Sequence, residues 1–176
     1  MRLVGLPPLV SVRTRLLVLG SFPGAASLAA RQYYAHPQNQ FWRILQAIWA
    51  DSPYVKGMDS YEKRSKWLLE RGLGLWDVYA SCERQGSLDT AIRNAQVNDF
   101  AALAVTCPDL CAVAHNGGES FKHAALVIEG LGLAGSTVAR TVPSYKLPST
   151  SPAHASWSFE RKLGAWRDVI AAAGLV

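Results

Sequence analysis

Along the chain, short unbroken apolar runs alternate with segments whose apolar residues recur every three or four positions. Residues 15–20 (RLLVLG) form an apolar run closed by glycine, the pattern of a strand buried on both faces. Phe41, Ile44, Leu45, Ile48 and Trp49 follow helical spacing, with Asn39 placed to cap the helix. Residues 59–71 predict a second helix, with Lys63, Arg64 and Lys66 on a wet face and Gly72 as its stop. Strand patterns follow at 73–79 (LGLWDVY), 111–115 (CAVAH) and 136–142 (STVARTV). Helical patterns lie at 98–106, at 119–131 with Phe121, Ala124, Ala125 and Ile128 on one face, and at 157–173.

Strands separated by helices require crossover connections, and these build a parallel sheet covered on both faces. The fold class expected is therefore α/β, three layers α/β/α around a central, mainly four-stranded parallel sheet. One domain is expected to span 1–176, with no linker or low-complexity tract dividing it. Ligands of such sheets bind outside the carboxyl ends of the strands. That rule selects four loops, at 20–39, 76–89, 115–118 and 143–154.

Composition narrows the partner. Eighteen Lys and Arg against 13 Asp and Glu give a net charge of +5, which favours an anionic partner such as nucleic acid. Three cysteines are too few for a disulfide framework or a four-thiolate metal or iron–sulfur site within one chain. Cys107 and Cys111 read as buried thiols. No apolar stretch approaches the roughly 18 residues of a membrane span. The first ten residues carry two prolines and no small-residue cleavage site, so a reduced, cytoplasmic protein is expected.

The four loops hold the unusual residues. In the first, Gly20, Pro23 and Gly24 form a tight turn where backbone can approach a ligand, and Tyr33 and Tyr34 precede His36, Pro37 and Asn39. Either tyrosine can stack on a nucleobase or pack against the sheet. The second loop carries Asp77, then Arg84, Ser87 and Asp89; a carboxylate at a strand end can orient a water or stabilise a cationic transition state. Asp89 could equally cap the turn that follows. The third, His115-Asn116-Gly117-Gly118, runs from a strand end into a helix start, where Asn116 could read a base edge or simply make a turn. The fourth places Ser149, Thr150, Ser151 and His154 on a proline-stiffened loop suited to clamping phosphate.

Two motifs are decoys. Gly130, Gly132 and Gly135 spell the dinucleotide-binding glycine pattern but follow a helix and precede a strand, the reverse of what that fingerprint needs. No serine near the loops has a nucleophile-elbow context.

Five pieces in order, LLVLGSFPG, YYAHPQNQFW, LWDVYASCERQGSLD, HNGG and LPSTSPAHA, make the chain resemble the uracil-DNA glycosylase superfamily, in particular its hypoxanthine-DNA glycosylase branch. The resemblance implies a monofunctional, metal-free and cofactor-free enzyme that flips a deaminated base out of double-stranded DNA and hydrolyses its glycosidic bond. Hypoxanthine comes first and uracil second. Mismatch-specific relatives position water with an asparagine where this chain has Phe22; in the hypoxanthine branch the catalytic part falls to the residue matching Asn39. Tyr34 matches the residue that stacks on the flipped base.

Together these readings assign Asn39 and Asp77 to catalysis, and Tyr34, Asn116, Ser21, Phe22 and Gly24 to the substrate. Ser149, Ser151, His154, Arg84 and Lys146 are assigned to the DNA backbone. Arg31, Arg43 and Arg93 join the candidate phosphate track. The large side chain that wedges into the base stack of some relatives is missing, since Ser151, Pro152 and Ala153 are small. The rival readings are a mismatch-specific uracil glycosylase, a lesion-binding protein without turnover, and a small-molecule α/β hydrolase or nucleotide binder. A monomer is expected, associated with the nucleoid through DNA.

Overall fold

The computed structural model describes residues 1–56, 58–132 and 142–176. Its centre is a parallel sheet of four strands: β2 (Leu16–Gly20), β3 (Leu73–Asp77), β6 (Ala112–Asn116) and β7 (Ser144–Leu147), in the order β3-β2-β6-β7. Period-two geometry sends the apolar run of β2 to both faces, and each face has its own core. Leu16 and Val18 join one core with Phe41, Trp42, Ile44 and Leu45 of α2 (Phe41–Ile48), Leu68 of α3 (Tyr61–Glu70), and Trp166 and Ile170 of α7 (Phe159–Ala172). Leu17 and Leu19 join the other with Leu103 of α4 (Ala101–Thr106) and Val127 and Leu131 of α6 (Ala124–Gly132). The three-layer α/β/α architecture is thus present.

A second sheet was not legible in the hydrophobic pattern. The run at 73–79 is not one strand: β3 ends at Asp77, and the chain turns through Val78 into β4 (Tyr79–Glu83). That strand pairs antiparallel with β1 (Arg2–Val4) and β5 (Arg93–Val97). The break is fixed by Val78 N–H donating to Gly20 O and by Asn98 Nδ2 donating to Asp77 O at 2.8 Å. Both bonds bend the backbone just where the site begins.

Other elements shift. The expected strand at 136–142 lies, apart from Val142, outside the described residues; the fourth strand of the sheet is β7, which sequence reading had placed inside a loop. The helix expected at 119–131 is two, α5 (Gly118–Phe121) and α6, so the buried face moves from Phe121, Ala124, Ala125 and Ile128 to Val127 and Leu131. The first loop contains a short helix, α1 (Ala25–Ala30). Arg64 is not on a wet face. It is buried, paired with Asp59 at 2.9 Å and packed over the rings of Trp42, Tyr61 and Tyr54, while Lys63 and Lys66 are exposed. Cys107 is buried and Cys111 half-buried.

Candidate active site

Because β2, β3 and β6 are in parallel register, their carboxyl ends come level: Gly20 lies beside Asp77, and Leu19 beside His115. Above them opens a cleft of about 580 Å³ bounded by parts of all four predicted loops. Asp77, Gly20, Tyr34 and Asn116 border it from the sheet side. Asn39 lines one wall, residues 87–90 form one lip, and residues 149–154 form the other.

Asp77 is 5% exposed, and its Oδ2 has no hydrogen-bond partner. Burial pushes its pKa up to about 7; the charge of Asp89 adds to the rise and Arg84 opposes it. Gly20 makes this carboxyl possible, since a Cβ there would stand 2.4 Å from Asp77 Oδ1. The same point lies 3.7 Å from Tyr34 Oη, which is also buried and unpartnered. Burial, then the charge of Asp77, raises the Tyr34 phenol well above its ordinary range, so it stays a hydrogen-bond donor. Its ring packs against Phe41, with centroids 4.2 Å apart.

Asn39 stands at the start of α2. Its Oδ1 accepts from Phe41 N–H at 2.9 Å, which leaves a second lone pair and the Nδ2 donors for other work. Gln40 N–H donates to Thr150 O at 3.0 Å, tying this wall to the opposite lip. Thr150 is fully buried and also grips Asn116 at both ends of its amide: Asn116 Nδ2 donates to Thr150 Oγ1 at 2.9 Å, and Thr150 N–H to Asn116 Oδ1 at 3.0 Å. Asn116 is therefore first a clamp on the loop, with one N–H and one lone pair left over. Gly117, at φ +103°, completes that junction, because a Cβ there would press on Ser149 Cβ at 3.2 Å.

The remaining assignments divide. Ser21 donates to Asp89 Oδ1 at 2.6 Å, fixing the 87–90 lip to the turn after β2. Gly24 starts α1, and Ala25 N–H donates to Ser87 Oγ at 2.9 Å. Phe22 lines the cleft but is 6% exposed and belongs to the second core. Ser149 and Ser151 accept from Ser151 N–H and Ala153 N–H, and no acceptor for their own O–H groups is seen among the described residues. His154 lines the cleft; burial and the nearby Lys162 lower its pKa, and Lys162 Nζ anchors its carbonyl at 2.6 Å. Lys146 is exposed on β7 beside Gly118.

Arg84 is 9% exposed, with its guanidinium on Pro23 O and Gly86 O and over the Phe22 ring, so it braces the first loop from within, while its Nη1 has no partner among the described residues. Arg31, Arg43 and Arg93 are exposed. Sequence reasoning passed over Thr150 as a clamp, because a threonine between two serines gives no sign that it alone is buried. It left Asp89 as a turn cap. Asp89 does open the short helical turn Asp89–Ala91, and its second role across the cleft depends on a contact 68 residues away.

Residues 7–170 match the family model described as "Uracil DNA glycosylase superfamily". The chain belongs to the uracil DNA glycosylase superfamily. Within it, the chain is similar to two proteins named "Hypoxanthine DNA glycosylase". One, from Methanosarcina barkeri (strain Fusaro), is 37% identical over 70% of this chain and 76% of that protein. The other, from Methanosarcina acetivorans, is 32% identical over 90% of this chain and 92% of that protein. A solution NMR structure of a Methanosarcina acetivorans protein, assigned provisionally as a uracil DNA glycosylase, superposes with a TM-score of 0.80 at 31% identity, covering 99% of each chain. The superfamily fold accounts for the level strand ends and the cleft above them. Among the described residues no helix is long and apolar enough to cross a membrane, and no cluster of His, Cys, Asp and Glu could hold a metal.

Proposed function

We propose that this chain is a monofunctional DNA glycosylase that draws a deaminated base, hypoxanthine above all, from duplex DNA into the cleft and hydrolyses its N-glycosidic bond. One observation carries the reading: a buried carboxyl with an unpartnered oxygen, Asp77, at the closed end of a cleft whose wall holds Asn39. A glycosidic bond inside a duplex is out of reach, so the nucleotide must leave the stack at a cost of a few kcal/mol. Tyr34 offers its ring to the extruded base. As the C1′–N bond breaks, its electron pair departs with the base and positive charge grows on the deoxyribose. The carboxylate of Asp77 stabilises that charge. Asn39 orients the attacking water, whose oxygen bonds C1′ while Asp77 takes the released proton and the departing base takes up a proton at nitrogen from solvent. The hydroxyls of Ser149 and Ser151, with His154 and Lys146, hold the flanking phosphates and fix position without reading sequence.

The working form is read as a monomer, acting in the cytoplasm on the nucleoid, without cofactor or metal. The test is release of base from duplex oligonucleotides carrying deoxyinosine, deoxyuridine, mismatched thymine or deoxyxanthosine, with abasic sites revealed by alkaline scission. Scission at deoxyinosine supports the reading. Scission at deoxyuridine alone would make the protein a uracil glycosylase, and tight binding without scission a lesion-binding protein.

A further inference from the structure

Of the exposed large apolar side chains among the described residues, Leu88 alone lines the cleft, and it is 57% exposed. Its exposure is imposed by its neighbours. Ser87 Oγ accepts from Ala25 N–H at 2.9 Å, and Asp89 Oδ1 accepts from Ser21 at 2.6 Å, so the residues on either side of Leu88 are tied to the first loop. Gly86, at φ +73°, turns the chain, and Arg84 Nε holds its carbonyl at 3.0 Å. Leu88 O accepts from Ala91 N–H at 3.1 Å, closing the turn behind it. The lip cannot fold Leu88 away without breaking these bonds. The pinned backbone thus presents an apolar side chain, more than half exposed, to water beside the cleft.

We propose that Leu88 enters the base stack as the nucleotide is extruded into the cleft, filling the gap from the 87–90 lip. The inference rests on the glycosylase reading and adds to it the residue that keeps the base out. Extrusion leaves a flat apolar slot between two base pairs, and aliphatic side chains are what proteins insert between unstacked steps. On the opposite lip Ser151, Pro152 and Ala153 are smaller than leucine, and His154 is polar. The wedge expected there is absent, and the chemistry it would supply is on the other side of the mouth. A rigid lip suits the task, since little ordering is left to do when DNA arrives.

The experiment compares single-turnover release of hypoxanthine from deoxyinosine in duplex and in single-stranded oligonucleotides, for the wild type, Leu88→Ala, Leu88→Gln and Leu88→Met. Single strands have no stack to refill, so the wedge matters only in the duplex. For Leu88→Ala and Leu88→Gln the ratio of duplex to single-strand rates is expected to fall about tenfold or more, the worth of one buried leucine side chain. Leu88→Met is expected to restore it. The fluorescence of a 2-aminopurine beside the lesion, which reports unstacking, is expected to rise less on binding of Leu88→Ala. An unchanged ratio, or equal losses on both substrates, would overturn the proposal while leaving the glycosylase reading intact. A wild type inactive on both substrates would overturn the two together.

Discussion

The aromatic layer beneath α2 and α7 and the cleft lining around Asp77 both leave buried polar atoms unpaired, but only the second borders a space that a substrate can enter. In the aromatic layer Trp42 Nε1 donates to Tyr33 O and Trp166 Nε1 to Pro148 O, each at 3.1 Å, and Arg64 is neutralised by Asp59. Tyr33, close in sequence to the site, belongs to this layer: its hydroxyl donates to Pro7 O at 2.7 Å. Even so, Arg64 Nε, Ser65 Oγ and Trp67 Nε1 beside this layer have no partner among the described residues, and neither do Asp77 Oδ2 and Tyr34 Oη in the lining of the cleft. Buried polar groups left unpaired cost free energy, about 1–3 kcal/mol each. What separates the two regions is access, since Asp77 and Tyr34 line the cleft, whereas Arg64, Ser65 and Trp67 do not.

That comparison can be broken at four points. The largest effect is expected from Asn39→Ala, which should slow single-turnover base release by roughly a hundredfold or more. Because Asn39 Oδ1 also accepts from Phe41 N–H at the start of α2, the variant should lose about 1 kcal/mol of stability as well. Asn39→Ser keeps an accepting oxygen, so a matched loss of activity without loss of stability would separate the two roles. Unchanged release by Asn39→Ala would remove it from the chemistry.

Asp77→Asn comes next. The folded protein holds the Asp77 proton up to about pH 7, whereas the unfolded chain releases it near 3.8. Protonation thus favours the fold, fully so below pH 4, and that contribution is lost as pH rises through 7. Asp77→Asn should flatten the decline and be more stable than wild type at pH 8, on the order of a few kcal/mol in denaturant melts. Base release needs the carboxylate, so the wild-type rate should climb through pH 7 and the variant should lack that step. A variant destabilised at pH 8 would mean that Asp77 has a partner in the fold.

Trp42→Phe probes the other region. It should cost about 2 kcal/mol through the lost Nε1 bond and the space left behind, with the rate constant of the folded fraction nearly unchanged. The smallest effect separates two cations. Lys146→Ala should reduce the slope of log affinity against log salt by about one unit. Arg84→Ala should leave the slope alone and lower the melting temperature, since Arg84 braces Pro23 and Gly86.

Much of this was legible in the sequence, for local reasons. Apolar periodicity located β2, β6, α2, α3 and α7 to within a few residues. The rule that ligands bind beyond the carboxyl ends of parallel strands then chose the four loops that do bound the cleft. Asp77 could be picked out because it follows an apolar run at the end of a strand. Periodicity could not show where the run at 73–79 breaks, because Leu75, Trp76, Asp77, Val78 and Tyr79 are all buried whichever sheet they join. The break at Val78 depends on bonds to Gly20 and Asn98.

The charge and polarity of single residues were known from the start, but their use was not. Arg84 and Lys146 look alike in the sequence, and only packing puts one inside against Phe22 and leaves the other on the surface. Asn116 looks free to read a base until Thr150, 34 residues on, occupies both ends of its amide. The sequence by itself determined the elements, their alternation and the family, because these follow from local periodicity and ordered motifs. Only the tertiary structure decided which polar groups are satisfied and which remain open at the cleft, because a partner is a matter of distance in space, and the partners here come from strands and loops far apart in the chain.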